Sequence, residues 1–195
     1  MESKLTYFDM KTGLSPDVET TRRRLSKMKG MYRDTREYEA LLNKGDLLVY
    51  EFHEMGIPEK PGAIAYGASI VYPGKVGDEY FMTKGHFHEV LDTAEVYYCL
   101  NGHGFMLMEN PEGDCEAREM TPGAAVYVPG RFAHRSINVS PTETLVTFFA
   151  FRADAGHDYK TIEEKGFRKL MVERDGKPRL IDNPRWSEQQ CPPTR

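Results

Sequence analysis

The chain contains no Cys-x-x-Cys pair. Its three cysteines, Cys99, Cys115 and Cys191, are odd in number and widely spaced, which excludes a disulfide framework and a zinc knuckle and leaves free thiols. Long apolar runs are missing too. No window approaches the ~20 residues needed to span a bilayer, and the first six residues lack the charged-then-apolar pattern of a secretory leader. A cytosolic protein that does not engage a membrane is the expectation. Basic charge is short, with 26 Lys and Arg against 30 Asp and Glu and a net charge of −4. That balance argues against a nucleic-acid-binding surface, while leaving room for a local basic pocket around an anionic ligand. Internal repeats and low-complexity segments are absent as well.

What is present suits one globular domain: 195 residues, 39% of them apolar, can bury a core of their own. Residues 1–33 read as an arm, with an apolar touch at Leu5, Tyr7 and Phe8, a turn at Gly13 and a short helix capped by Asp17. The Arg22-Arg23-Arg24 run reads as a wet polar face. Residues 34–44 form a better helix, because Asp34 or Thr35 can cap it, Tyr38, Leu41 and Leu42 recur at helical spacing, and Gly45 follows as a terminator.

From Leu47 the period changes. β-Branched and aromatic residues occur in short runs, at 47–52, 65–72, 79–81, 94–100, 105–109, 124–129 and 144–151, divided by turn chemistry such as Pro73-Gly74, Asn101-Gly102 and Pro122-Gly123. Many short strands with regular turns make an all-β sandwich or barrel. Asn101-Gly102 favours a type I′ hairpin that would return the strand before it along residues 105–108. Further on, Thr161 to Glu164 offers a capping box with Gly166 as the stop, and Asp175-Gly176 predicts a final hairpin between 170–173 and 179–181. The expected division is an arm at 1–33, a domain with a few short covering helices at 34–182, and an aperiodic tail at 183–195.

One stretch carries chemistry. Gly85-His86-Phe87-His88 places two imidazoles two residues apart, so on a strand both face one side, and Glu95 returns on the next strand with a carboxylate. A bare His-x-His is more often a surface pair. Here a second cluster, Gly123 to His134 with Asn138 four residues later, supplies a third imidazole, and the two clusters together resemble the two cupin motifs. Three imidazoles and one carboxylate leave two positions open on an octahedral ion. That set favours Fe²⁺ or Mn²⁺, with Co²⁺, Ni²⁺ and Zn²⁺ as substitutes, over a closed structural zinc site. Open positions would accept two vicinal sugar oxygens or dioxygen, so ligand chemistry alone does not choose between an isomerase and an oxygenase.

Flanking motifs make the choice. Tyr72-Pro73-Gly74-Lys75-Val76-Gly77, Thr83-Lys84-Gly85-His86-Phe87-His88, Ala94-Glu95-Val96-Tyr97-Tyr98, Ala153-Asp154-Ala155-Gly156-His157-Asp158-Tyr159 and Asp182-Asn183-Pro184-Arg185-Trp186 occur in this order. Together they resemble the archaeal cupin-type glucose-6-phosphate isomerases over about Arg24 to Trp186. The resemblance implies a cupin double-stranded β-helix (jelly-roll barrel) and one divalent metal ion held by His86, His88, Glu95 and His134. It also implies a sugar-phosphate substrate lined by Tyr50, Ser69, Thr83, Gly85, Tyr97, His157 and Tyr159. Ser69 stands where the family more often has Thr, which keeps the hydroxyl. Against the general cupin pattern, six residues separate His88 from Glu95, a habit of this family, and Arg131 stands where Gly is usual after Pro129.

The implied reaction exchanges glucose 6-phosphate and fructose 6-phosphate, with Glu95 as base in a cis-enediol route or only as ligand in a hydride shift. The alternatives are another cupin metalloenzyme, such as a dioxygenase or a different sugar isomerase or epimerase, and a non-catalytic sugar-phosphate binder. His157 reads either as a turn histidine bonded to Asp158 or as a pocket residue. His53 and His103 read as surface residues, and Met106, Met108, Phe148, Phe149 and Phe151 as barrel filling. A sheet edge needs cover, and the family's jelly rolls dimerise along such edges, so a homodimer using the N-terminal part of the chain is expected.

Overall fold

The computed structural model describes residues 3–16 and 18–186. In chain order the elements are β1 (Thr21–Arg24), a 3₁₀ turn (Leu25–Met28), α1 (Thr35–Lys44), β2 (Leu48–Glu54), β3 (Ile64–Val71), β4 (Lys75–Val76) and β5 (Glu79–Tyr80). There follow β6 (Glu95–Asn101), β7 (Gly104–Glu109), β8 (Cys115–Met120), β9 (Ala125–Val128), β10 (Ala133–Asn138) and β11 (Leu145–Arg152), then α2 (Lys160–Lys165), β12 (Lys169–Arg174) and β13 (Lys177–Asp182). One layer is a six-stranded sheet in the order β1-β2-β3-β11-β6-β9. The opposite layer combines β10-β7-β8 with β13-β12-β5-β4, and bridges from Met82 to Ile137 and from His86 to His134 join the segment after β5 to β10. This is the all-β jelly roll expected of a cupin.

In its core cluster Val49, Val71, Cys99, Met106, Met108, Ile137 and Leu145 are all but inaccessible to solvent. Burial pushes the thiols of Cys99 and Cys115 up to about 11, and both are free. Cys191 lies outside the described residues. Among the described residues no helix is long and apolar enough to cross a membrane.

Helix α1 forms as its sequence predicts. The Asp34 side chain accepts from the Glu37 N–H, the Gly45 N–H closes the last turn on the Leu42 carbonyl, and Tyr38 is buried with its hydroxyl on the Leu25 carbonyl. The closing hairpin also forms. Asp175 and Gly176 both take positive φ, 52° and 70°, as a type I′ turn requires, and β12 pairs with β13.

Several expectations need correction. The arm is not helical where it meets the barrel: Asp17 lies outside the described residues, and Thr21–Arg24 pairs antiparallel with β2 as the edge of the large sheet. Arg22 and Thr20 both reach the buried Glu51 carboxylate, so tertiary partners override the local helix signal. The turn at Asn101-Gly102 does not fold β6 onto β7. The two strands lie in opposite layers, and the Asn101 side chain donates to the Thr144 carbonyl while a side chain at Gly102 would strike the same carbonyl at 2.3 Å. The connection is therefore an arch between sheets. Thr161 lies inside α2, whose first turn is instead held by the Asp158 carboxylate on the Thr161 N–H and hydroxyl. Finally, His53 is buried, 2% exposed, with Nε2 2.8 Å from the Gly13 carbonyl; the arm covers it. His103 stays at the surface beside Glu119.

Of the expected barrel filling, Met106, Met108, Phe149 and Phe151 face inward, whereas Phe148 points to the outer face, where it packs on Phe8 and Tyr66. Strand alternation dictates this, since Phe148 lies between two inward residues.

Candidate metal centre

Residues 83–88 run beside β10 without forming a long strand. Gly85 makes the approach possible: its φ is +77°, and a Cβ there would lie 2.8 Å from the Phe167 ring and 2.9 Å from the His134 carbonyl. With no side chain in the way, His86 and His134 exchange backbone hydrogen bonds, His86 N–H to His134 O at 3.3 Å and His134 N–H to His86 O at 3.1 Å. Phe87 pairs on the other side with Asp158, which brings the Gly156-His157 segment over the site. Glu95 opens β6 on the facing layer.

The four expected ligands come together. One donor atom from each of His86, His88, Glu95 and His134 lies within 4.8 Å of all the others. His88 Nδ1 is 3.1 Å from the Gly156 carbonyl and His134 Nδ1 is 3.3 Å from that of Phe132. A carbonyl only accepts, so both rings carry their proton on Nδ1 and present an Nε2 lone pair inward. Those nitrogens stand 3.1 and 2.9 Å from the same carboxylate oxygen, Glu95 Oε2. The His134 contact does not meet hydrogen-bond geometry, and the Nε2 of buried His86 has no partner. Lone pairs converging on a carboxylate repel one another unless a cation lies among them, so the donor set fits a metal ion.

Electrostatics point the same way. Burial would raise the Glu95 carboxyl, but the His134 and His88 rings at its Oε2 outweigh it and hold the group down to about 2. Burial, followed by the neighbouring imidazoles, pushes His86 well below its usual value. His157 falls to about 4 for the same two reasons, opposed by Glu95. Neutral imidazoles and an ionised carboxylate are the forms that bind a divalent ion.

All seven expected substrate residues line the one cavity that His86, Glu95 and His134 enter. Tyr97, His157 and Tyr159 sit at its metal end: the Tyr97 ring is 5.6 Å from that of His134, and His157 lies 4.5 Å from His86 and stacks on Tyr159. His157 is thus a pocket residue, while Asp158 bonds to Thr161. Burial keeps the Tyr159 hydroxyl neutral, up to about 12, and Tyr97 is raised well above its usual range by burial and by Glu95. Both remain proton donors.

Ser69 and Tyr50 lie toward the other end with Thr83, whose hydroxyl accepts from the Ser136 N–H. In register, Glu95 faces Phe151 and Ser69 faces Thr147, four residues away along β11. That is about 13 Å of strand between the two rows. Arg131 adopts the left-handed conformation of the glycine it replaces, φ 73°, and sends its side chain outward to Glu112, so the entry to His134 is kept.

Sequence reasoning missed several neighbours. Phe52, Glu54, Ser136, Phe149 and Phe151 also line the cavity. Counting every second residue from Tyr50 along its strand would have found Phe52 and Glu54. Arg135 had no sequence signal. It is 2% exposed, its guanidinium lies 4.2 Å from the Phe167 ring, and it donates to the Lys84 carbonyl, fixing the backbone between Thr83 and Gly85.

Compared with known proteins, residues 22–186 match the family model described as glucose-6-phosphate isomerase (GPI). The chain belongs to the glucose-6-phosphate isomerase family. Within the glucose-6-phosphate isomerase family, the Pyrococcus furiosus enzyme is 46% identical over 180 residues, covering 92% of this chain and 95% of its own length. The Thermococcus kodakarensis glucose-6-phosphate isomerase is also 46% identical over 180 residues, covering 92% of this chain and 94% of its own. Among solved structures, an oxalate oxidase in complex with the substrate analogue glycolate aligns with 58% of this chain and 56% of its own at 15% identity, with a TM-score of 0.47.

Proposed function

We propose that this protein interconverts glucose 6-phosphate and fructose 6-phosphate, with a divalent ion, Fe²⁺ or Mn²⁺, held by His86, His88, Glu95 and His134. The observation that carries this reading is the convergence of that donor set in a chain of this family, at one end of a cavity whose other end offers hydroxyls and a glycine backbone. When bound, the ion supplies positive charge to the sugar oxygens at C1 and C2.

The chain's own residues supply the rest. Thr83, Ser69, Tyr50 and the Gly85 backbone receive the phosphate. Tyr97, Tyr159 and neutral His157 orient the sugar oxygens at the metal end. Glu95 takes the proton from C2 of the open-chain aldose and returns it to C1 on the same face, while the hydroxyl proton passes from O2 to O1 through a cis-enediol. One observation favours a second reading, a hydride shift from C2 to C1. Glu95 Oε2 faces both His88 and His134 in the candidate donor set, and a carboxylate that holds an ion is a weak base.

A coupled assay under nitrogen on metal-reconstituted protein tests the activity itself: the two sugar phosphates should equilibrate without consuming dioxygen. Chelation should abolish turnover, and Mn²⁺ or Fe²⁺ should restore it, while thermal melting stays cooperative because the barrel has a core of its own. Full turnover in protein shown metal-free by elemental analysis would remove the metal from the mechanism.

The proposed partner is a second copy of the chain. Val96, Tyr98 and Tyr127 form an exposed apolar group on the outer face of β6 and β9, and the edge strand β1 comes from the N-terminal segment. Light scattering should give a dimer at micromolar concentration; a 22.3 kDa species would exclude it.

A further inference from the structure

Three side chains of β2 share the face that looks into the barrel: Tyr50, Phe52 and Glu54. Glu54 pairs in register with Gly67, which in turn faces Phe149 and, across β11, Tyr97. That row lies between the row of Glu95, Phe151 and Ala65 and the row of Ser69, Thr147 and Cys99. By register Glu54 therefore shares the row of Tyr97, one row from that of Glu95 and one row from that of Ser69. Gly67 leaves the space in front of it to Phe149, since a Cβ there would lie 2.9 Å from that ring.

Glu54 lies at the exposed end of β2, open to solvent. Among the described residues Glu54 makes no hydrogen bond and no ion pair, and its charged neighbours are other carboxylates, Glu59 and Glu95. An ionised carboxylate accepts only. The group suited to such a site is a run of neutral hydroxyl donors, and the group least suited is a phosphate.

We propose that Glu54 is a specificity-determining residue. It receives the mid-chain hydroxyls, at C3 and C4, of the sugar, and its charge keeps the phosphate at the Ser69 and Thr83 end, so the substrate enters in one direction. The inference rests on the sugar-phosphate reading above.

The test uses metal-loaded wild type, Glu54→Ala and Glu54→Gln. With glucose 6-phosphate, Glu54→Ala should raise KM by about 10–100-fold, the range for hydrogen bonds to a charged group. It should lower kcat less than about threefold and leave the metal content by elemental analysis intact. Glu54→Gln, which keeps one acceptor, should fall between. Wild type should discriminate against 3-deoxy- or 4-deoxyglucose 6-phosphate, and Glu54→Ala should lose that discrimination. Inorganic phosphate should inhibit Glu54→Ala at least as well as wild type.

Unchanged KM and unchanged deoxy-sugar discrimination would overturn the proposal, as would equal losses in kcat and metal, which mark a structural role. Calorimetry with glucitol 6-phosphate, which carries the hydroxyls but no carbonyl, separates this from the proposed reaction. Wild type that binds it about 10-fold or more tighter than Glu54→Ala upholds the role of Glu54 even if turnover is absent. Equal binding, or none, refutes it.

Discussion

Glu95→Gln is expected to lose at least about 10² in kcat while keeping most of its bound metal. The substitution preserves side-chain length and one ligand oxygen, and it removes the basic oxygen that a cis-enediol route requires; a positioned general base contributes about 10²–10⁴. Single-turnover rates together with elemental analysis separate chemistry from metal loss. The solvent supplies an independent readout. Under the enediol route part of the transferred hydrogen exchanges, so isomerisation in D₂O should place deuterium at C1 or C2 of the product. Product free of deuterium, or near-normal kcat in metal-loaded Glu95→Gln, would assign the transfer to a hydride shift and leave Glu95 as a ligand only.

Gly85→Ala should be the most damaging small substitution in the site. The new methyl group would meet the Phe167 ring and the His134 carbonyl at 2.8 and 2.9 Å, from a backbone at φ +77°. Left-handed strain and overpacking together should cost about 2–4 kcal/mol of stability. Relief requires residues 83–86 to move away from β10, which separates His86 from His134. A lower Tm and a weaker Mn²⁺ affinity should therefore appear together. Wild-type values of both would mean that the close approach of the two segments does not hold the ligands.

Where sequence and fold agree, a local signal was not opposed by the rest of the chain. Helix α1 carries its own cap in Asp34 and its own buried face in Tyr38, and the closing hairpin carries its turn in Asp175-Gly176. The cluster of His86, His88, Glu95 and His134 was legible because its spacing follows strand geometry. Strands β1, β4, β8 and β10 were not legible, and β8 and β10 show why. In β8, Cys115–Met120, only Met120 is buried, so no alternation of apolar residues marks it. The opposite holds for β10: all six residues are buried, yet His134, Arg135, Ser136 and Asn138 are polar. Hydrogen bonds offset part of that burial, Arg135 donating to the Lys84 carbonyl and Asn138 to the carbonyls of Val71 and Glu143. The arch at Asn101-Gly102 failed for a related reason. The dipeptide permits a tight turn, but the choice of partner for β6 is made by β11, about fifty residues later.

That central place of β11 bears on how the protein is made. Both neighbours of β11 in the large sheet, β3 and β6, precede it in the chain by many tens of residues and pair with it edge to edge. Until residue 152 has left the ribosome, β3 and β6 have no strand between them, and the sheet that carries Glu95 is open. Closing loops of this length must precede the reward of pairing, so folding is slow compared with helical domains and the nascent chain presents unpaired edges meanwhile. The convergence of Glu95 with the three histidines is accordingly a late event in folding, and a chain cut short before β11 has no complete sheet on which to hold Glu95 against them.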